Sequence, residues 1–221
     1  MGNTMAKTFV YGAVAALITA AGATGALAQN LSVSGGLALT SDYVSSGISQ
    51  TGGDHALQAY VEMETAAGIY AGIWGSNVDF GDADNVEINL YAGYRNELAS
   101  GISYDLGYAR YFYDDSGDCC GEVILSMGVP LGNVASLTPR IALDPENGGL
   151  NTSVAVDVAV NDQIGLMATI GKVKDGQEYY QLGGSYALTD STAMDLSWHD
   201  TDIDDGTLVF TLSYDFSIFG G

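Results

Sequence analysis

The sequence predicts an all-β protein, an antiparallel transmembrane β-barrel of about 12 strands. First, short segments in which apolar and polar residues alternate recur from Leu31 onward, and a period of two is typical of a strand with one apolar face. Second, 47% of the 221 residues are hydrophobic, yet after Ala28 no run approaches the roughly 18 apolar residues of a spanning helix. Third, longer acidic connections alternate with mostly shorter ones, as in bacterial outer-membrane barrels.

The first 28 residues have the layout of a secretory signal peptide. A single cation, Lys7, precedes an apolar run rich in small residues, and Ala26-Leu27-Ala28 has the A-x-A form of a cleavage site. We expect residues 1–28 to be the signal peptide and residues 29–221 to form the barrel. An N-terminal membrane anchor is the alternative, but Gly and Ala dilute the apolar run.

Alternation then defines the strands in chain order. The predicted strands are residues 31–40, 57–64, 69–77, 86–95, 102–113, 123–129, 135–143, 150–160, 164–173, 179–188, 192–199 and 207–216. The third has an ambiguous parity, because Ile69 and Ile73 compete with Tyr70 and Trp74. The seventh contains Pro139, which cannot donate a ladder hydrogen bond.

The connections separate into two classes. The outer ones are residues 45–55, 80–85, 114–121, 144–149, 174–178 and 201–206, and the inner ones are 65–68, 97–101, 130–133, 161–162 and 189–191. This asymmetry places the outer connections outside the cell and the chain in the bacterial outer membrane. The last strand would then engage the outer-membrane assembly machinery.

Sidedness decides what each face of a strand meets. In "LVFTLSYDF", residues 208–216, Leu and aromatic residues share one parity; they face lipid in a barrel and the core in a soluble lipocalin-like or sandwich protein. The signal peptide, strand number and loop asymmetry favour lipid. Aromatic residues on this parity are expected to form interfacial girdles: Tyr94, Tyr104, Phe112, Tyr186, Trp198 and Tyr214.

Charge excludes one class of partner. The chain has 6 Lys plus Arg and 27 Asp plus Glu, a net charge of −21, so nucleic-acid binding is not expected. Cys119 and Cys120 are adjacent and lack the further Cys or His ligands of a zinc site; we expect an exposed loop pair with at most a vicinal bond. No phosphate loop or dinucleotide fingerprint occurs, and we expect no cofactor.

The polar parity supplies candidate pore-lining residues. They are Tyr60, Glu62, Glu64, Glu87, Tyr91, Arg95, Asp105, Arg140, Asp157, Asp195 and Asp215. Most of the carboxylates fall in the periplasmic half, and a ring of carboxylates in a low-dielectric wall favours cations. Twelve strands lie between barrels filled by side chains and barrels with a water channel. A side-chain-plugged barrel with a structural or surface-interaction role therefore remains the alternative to a channel for small polar or cationic solutes.

A family resemblance adds to this interpretation. The stretches "TSDYVSSGISQT", "ALQAYVEMETAAGIYAGIWGSNVDF" and "VEINLYAGYRNELASGISYDLGYARYFY" resemble the TorF-type porin family, also known as Gcw-chp, a proteobacterial family of unknown function. The resemblance implies an outer-membrane barrel with a transport role and brings no catalytic residue. Such proteins usually carry Arg before Gly-Ile-Ser-Gln, where this chain has Ser46. In the first outer connection, Ser46, Ser49 and Gln50 are candidate constriction residues.

The sequence contains partial matches to a hydrolytic triad and to a calcium-binding loop. Asp195, Ser197 and His199 share a strand, but same-face neighbours lie roughly 7 Å apart, too far for a hydrolytic triad without unusual rotamers, so we expect no enzyme. The acidic "DTDIDDG", residues 200–206, begins like a calcium loop, but Asp205 stands where the sharp turn needs Gly. We expect no specific metal site there.

Overall fold

The structure is a computed structural model and describes residues 31–220. Strands make up its regular secondary structure, and their bounds are β1 Leu31–Thr40, β2 Val44–Ser45, β3 Ile48–Ser49, β4 Ala56–Thr65, β5 Ile69–Asn77, β6 Val86–Glu97, β7 Ser103–Tyr113, β8 Gly117–Leu131, β9 Ala135–Leu143, β10 Leu150–Ala159, β11 Ile164–Val173, β12 Glu178–Ala187, β13 Thr192–Thr201 and β14 Thr207–Phe219. The predicted signal peptide lies outside the described residues.

Twelve of these strands form one closed antiparallel sheet. From β4 to β14 each strand pairs with the next along the chain, and β1 pairs with both β4 and β14, which closes the barrel. The short β2 and β3 form a separate hairpin in the connection between β1 and β4. The prediction of an all-β barrel of about 12 strands is confirmed. Within residues 31–220 no helix has the length and apolarity to cross a membrane.

The barrel has two different ends. Strand β1 begins and β14 ends at one of them, which we call the terminal end. The opposite end, the loop end, carries the longest connection, residues 41–55, together with connections 78–85, 114–116, 144–149, 174–177 and 202–206.

The largest difference from the predicted bounds is at β8. The strand was expected to begin at Val123 but begins at Gly117, so the predicted outer connection 114–121 shrinks to 114–116. The register with β7 shifts between Tyr111 and Phe112, where Cys119 is the extra residue. A bulge of this kind lets a strand continue past an unpaired residue. The two cysteines therefore lie in a strand rather than in a loop, and their sulfurs form a disulfide.

The weak seventh segment forms strand β9 in spite of its proline. Pairs between β8 and β9 run from Val123–Leu143 to Ser126–Arg140 and resume at Val129–Leu137. The interruption includes the position of Pro139, which has no N–H to donate. On the other side Pro139 stays in register with Val154 of β10. The strand is thus held mainly through β10 at this point.

The apolar parity lies on the outside of the barrel. In β14, Leu208 is 57% exposed whereas Val209 is 5% exposed, and in β5 the ambiguity is resolved with Ile69 and Ile73 outside and Tyr70 inside. So much apolar area facing outward requires lipid rather than water as its solvent. Of the expected girdle aromatics, four are exposed and two are half-buried; the exposed ones are Tyr94, Tyr186, Trp198 and Tyr214.

Inner-face glycines let side chains from next-but-one strands meet. Tyr179 of β12 crosses Gly171 of β11 and donates a 2.8 Å hydrogen bond to Asn151 Oδ1 of β10. A Cβ at position 171 would overlap the tyrosine ring, so only glycine admits this approach. The arrangement recurs where Tyr60 reaches Asp215 over Gly36 and where Tyr70 reaches Asp105 over Gly93.

One half of the interior is filled by aromatic side chains. Tyr43, Tyr70, Trp74 and Tyr91 are buried together, and Tyr43 packs edge-on against Trp74 with ring centroids 5.5 Å apart. Tyr43 comes from the connection 41–55, whereas the other three come from β5 and β6. Facing residues of β10 to β13 are mostly small. The interior is therefore asymmetric, with an aromatic half at β4 to β8 and a small-residue half opposite.

Candidate channel lumen

The connection of residues 41–55, which we call the first loop, is a folded element at the loop end. Its base is built around Asp42, whose Oδ1 accepts hydrogen bonds from Ser49 Oγ at 2.6 Å and Thr51 Oγ1 at 2.9 Å. Its tip turns at Ser46 and Gly47, which have φ values of 50° and 83°. Left-handed conformations are costly for a residue with a side chain, so they persist only where surrounding contacts maintain them. We infer that the contacts of the loop hold Ser46 in this conformation.

The tip of the first loop reaches the far wall. Asn151 Nδ2 of β10 donates a 2.8 Å hydrogen bond to Ser46 Oγ, and Gln177 Nε2 donates a 3.0 Å hydrogen bond to the Ser46 carbonyl. In the closed sheet β10 lies six places from β4 and five from β1. With Tyr43 packed on Trp74, the loop spans the mouth of the lumen from side to side.

The three predicted constriction residues have different contacts. Ser46 touches the far wall, whereas Ser49 binds Asp42 and the Gly53 N–H, and Gln50 donates to the Ile48 carbonyl within the loop. The contacts of Ser49 and Gln50 stabilise the loop itself. That these residues constrict a passage stays a prediction.

The terminal half contains a buried charge cluster, which we call the arginine cluster. Arg95 is 4% exposed, and its guanidinium lies 3.0 Å from Glu62, 3.6 Å from Glu64 and 3.7 Å from Asp105. The same guanidinium carbon lies 3.8 Å from the centroid of the Tyr70 ring. Three carboxylates therefore share one cation, and that cation also makes a cation–π contact with Tyr70. The cluster ties β4, β5, β6 and β7 together and retains a negative excess.

Three further predicted residues lie in the aromatic half, and a fourth, Asp215 of β14, is hydrogen-bonded to it. Glu87 is 2% exposed and accepts a 2.8 Å hydrogen bond from Asn89 Nδ2, toward the loop end. Tyr91 is part of the aromatic cluster. Tyr60 donates a 2.9 Å hydrogen bond to Asp215. These side chains are packed into the barrel wall, and their role as pore-lining residues stays a prediction.

The remaining predicted residues lie in the small-residue half. Arg140 of β9 is half-buried and has no hydrogen bond or ion pair within residues 31–220. Asp157 of β10 and Asp195 of β13 each have one buried carboxylate oxygen without a hydrogen-bond partner in the described chain. Among the predicted lumenal carboxylates within residues 31–220, Asp157 and Asp195 are the ones with a buried oxygen that lacks a partner.

Sequence reasoning missed Glu122 and Asn151. Glu122 accepts a 2.8 Å hydrogen bond from Tyr111, and it was overlooked because the predicted strand began at Val123, one residue after it. Its parity with Ser126, which is also half-buried, could have revealed it. The link between Asn151 and Ser46 joins residues 105 positions apart, and no local pattern predicts such a contact.

Ser197 and His199 meet although they are same-face neighbours on one strand. Ser197 Oγ lies 2.9 Å from His199 Nε2, so their rotamers bring the two side chains together. Asp195 does not orient the imidazole, and the other ring nitrogen of His199 has no hydrogen bond to residues 31–220. The pair lacks the third group of a hydrolytic triad.

Two carboxylates in the loop-end connections accept hydrogen bonds from backbone N–H groups. Hydrogen bonds from the N–H groups of Ser116 and Asp115 and from the Ser116 hydroxyl hold the pKa of Asp84 below its usual range. The N–H groups of Asn85 and Val86 do the same for the pKa of Asp114. Because hydrogen bonding favours the ionised form, these loops keep their negative charge well below neutral pH.

Comparison with known proteins defines the class. The KdgM porin, solved in complex with disordered oligogalacturonate, matches with a TM-score of 0.63 at 10% identity, over 85% of this chain and 99% of the porin. The NanC porin matches with a TM-score of 0.54 at 11% identity, over 84% of this chain and 98% of the porin. No curated protein matches the chain in sequence.

The chain thus has the fold of the outer-membrane porins, a closed antiparallel barrel with an apolar exterior and a polar interior. It belongs to the Gcw_chp family of bacterial proteins of unknown function, whose family model matches residues 22–218. The expected membership of Gcw-chp is therefore confirmed.

The arginine cluster should be needed for stability. Replacing Arg95 with Met leaves buried carboxylates without their cation, so the free energy of unfolding should fall by about 3 kcal/mol or more. Urea unfolding of the protein folded in detergent measures this. Arg110 is the matched control, because its partners Asp118 and Glu146 are exposed and Arg110→Met should cost about 1 kcal/mol or less. Equal losses in the two variants would contradict this role of the cluster.

Proposed function

We propose that this chain is an outer-membrane channel for the passive passage of small polar solutes, with a preference for cations. The observation that carries the proposal is the charge of the barrel interior. Its carboxylates outnumber the two arginines, Arg95 and Arg140; they are Glu62, Glu64, Glu87, Asp105, Glu122, Asp157, Asp195 and Asp215. A low-dielectric wall focuses the electric field of these carboxylates into the lumen.

Similar proteins support a channel but not a solute. The TorF-type resemblance and the fold of the KdgM and NanC porins favour transport over catalysis. The KdgM structure contains oligogalacturonate, a polymer of carboxylated sugars. An acidic interior repels such a polyanion, so we do not extend that solute to this chain.

The passage would follow the small-residue half of the barrel. The aromatic half is packed by Tyr43, Tyr70, Trp74 and Tyr91, which leaves little space there. The inner faces of β10 to β13 carry mostly Ser, Ala, Gly and Thr, with Met167, Tyr179, Gln181 and His199 among the larger side chains. Solutes entering at the loop end would pass beneath the tip of the first loop, where Ser46 contacts Asn151.

Location and assembly belong to the same proposal. Residues 1–28 would direct export, and the apolar exterior would place the barrel in the lipid bilayer of the outer membrane. Strand β14 exposes Tyr214, Ile218 and Phe219 close to the terminal end. We expect the assembly machinery to recognise this strand.

A barrel that conducts little is the second candidate. The arginine cluster, the tyrosine bonds over Gly36, Gly93 and Gly171, and the first loop across the mouth favour a filled interior with a structural or surface-interaction role. The two candidates differ in conductance, which can be measured directly.

Refolded protein in planar bilayers should conduct ions and prefer cations. In a KCl gradient the reversal potential should give a K⁺ permeability roughly threefold or more that of Cl⁻, because lumenal carboxylates attract cations. Heat-denatured protein at the same concentration is the control. Anion preference would contradict the proposed selectivity, and silence from correctly folded protein would favour the filled barrel.

Undocking the first loop should increase conductance. The double variant Asn151→Ala/Gln177→Ala removes two hydrogen bonds to Ser46, each contributing about 1 kcal/mol, so docking should weaken roughly thirtyfold. Single-channel recordings should show larger or more frequent openings than wild type. Gln163→Ala, in an exposed connection at the terminal end, should change nothing. Unchanged conductance in the double variant would show that the loop does not limit flow.

A further inference from the structure

Two lumenal carboxylates differ from all the others in their surroundings. Asp195 is 5% exposed, and its Oδ1 has no hydrogen-bond partner within residues 31–220. Asp157 has a half-buried side chain with the same property at Oδ2. A buried carboxylate oxygen without a donor is costly unless a positive charge or donor reaches it. Both residues therefore favour a ligand that brings positive charge.

The nearest inner-face neighbours of Asp195 have small side chains. In the sheet Asp195 stands opposite Ser185 of β12 and Thr211 of β14. Its inner-face neighbours on β13 are Ala193 and Ser197. All four side chains are small, and three of them carry a hydroxyl that can also face a cation. We call the inner face of β10 to β13 around Asp157 and Asp195 the open wall.

Carboxylates elsewhere in the barrel already have partners. Glu62, Glu64 and Asp105 share Arg95, and Asp215 accepts a hydrogen bond from Tyr60. Their charge is used to hold strands together. A cation passing through the lumen would compete poorly for these groups.

The other lumenal arginine is placed away from the open wall's carboxylates. Arg140 of β9 is in register with Ser153 of β10, whereas Asp157 is in register with Ser136. Four residues of strand correspond to roughly 13 Å along the barrel. Arg140 therefore lies nearer the loop end and makes no ion pair with Asp157.

We propose that the open wall contains a binding subsite for a small monovalent cation, such as potassium or ammonium, centred on Asp195; Asp157, three strands away on the same wall, adds its negative charge. The proposal rests on the proposed function, because the cation must enter through the lumen. Solutes with a protonated amino group would bind there by the same chemistry. The subsite, rather than the acidic interior as a whole, would set the cation preference.

Conductance can separate a subsite from a diffuse negative field. A binding site makes conductance saturate with KCl concentration, so wild type should saturate, and Asp195→Asn should raise the half-saturating concentration roughly threefold or more. The K⁺ to Cl⁻ permeability ratio should fall roughly twofold or more in Asp195→Asn and in Asp157→Asn. Glu64→Gln is the matched control, since Arg95 already compensates that carboxylate, and it should change both quantities less. Heat-modifiable gel migration shows that each variant is folded.

A second measurement does not depend on conduction. Potassium should raise the thermal unfolding temperature of the detergent-folded wild type above that in N-methylglucamine at equal ionic strength, because a ligand of the native state stabilises it. Asp195→Asn should lose this difference, and Glu64→Gln should keep it.

The outcomes distinguish the two proposals. A conducting wild type whose Asp195→Asn and Asp157→Asn variants match Glu64→Gln would overturn the subsite and leave the channel standing. A silent wild type that still shows potassium-specific stabilisation, lost in Asp195→Asn, would support the subsite and contradict the channel. Absence of both effects would overturn the subsite and the channel together.

Discussion

The antiparallel ladder between β1 and β14 is the interaction on which the rest of the molecule depends. It pairs Thr40 with Thr211 at one end and continues to Val33 and Phe219 at the other. In hydrocarbon an unpaired backbone N–H or C=O is too costly to survive, so a sheet can span lipid only when its two edges meet. Once the edges meet, each strand has one face toward lipid and one toward the interior. The alternation of apolar and polar residues follows from that requirement.

Closure also decides how the interior charges are used. Inside a narrow barrel, side chains from next-but-one strands come within hydrogen-bond distance where a glycine lies between them, as Tyr179 and Asn151 do over Gly171. Arg95 of β6 likewise reaches Glu62 on the next-but-one strand β4, and it also contacts Asp105 on the neighbouring strand β7. Inward polar residues therefore hold the strands together on one side of the barrel, whereas Asp157 and Asp195 on the other side each keep an oxygen without a partner in residues 31–220. The proposed selective channel depends on this division between the two halves.

Local alternation was sufficient to predict the strands, because lipid imposes the same period on every strand. Strand β11, Ile164–Val173, has the predicted bounds. The parity of β5 could not be predicted, since Tyr70 and Trp74 are apolar enough for either face. Only their packing with Tyr43 and Tyr91 across the closed barrel places them inside.

Contacts that depend on strand register could not be predicted from the sequence alone. The extension of β8 needs the bulge at Cys119, and the approach of Ser197 to His199 needs particular rotamers. The docking of Ser46 on Asn151 needs the loop to cross a lumen whose width is set by strand number and tilt. Candidate lumen residues could thus be named from parity, whereas their partners, and so the distinction between compensated and uncompensated carboxylates, required the three-dimensional arrangement.

The sidedness of the barrel can be tested with the chain's two tryptophans, Trp74 inside and Trp198 outside. The variants Trp74→Phe and Trp198→Phe each leave one of them, and fluorescence is compared in vesicles with plain and with acyl-chain-brominated phospholipids. Contact with bromine quenches the indole, so we expect strong quenching of Trp198 and weak quenching of Trp74. Quenching of Trp74 alone, or of neither residue in folded protein, would show that lipid does not contact the residues of the apolar parity.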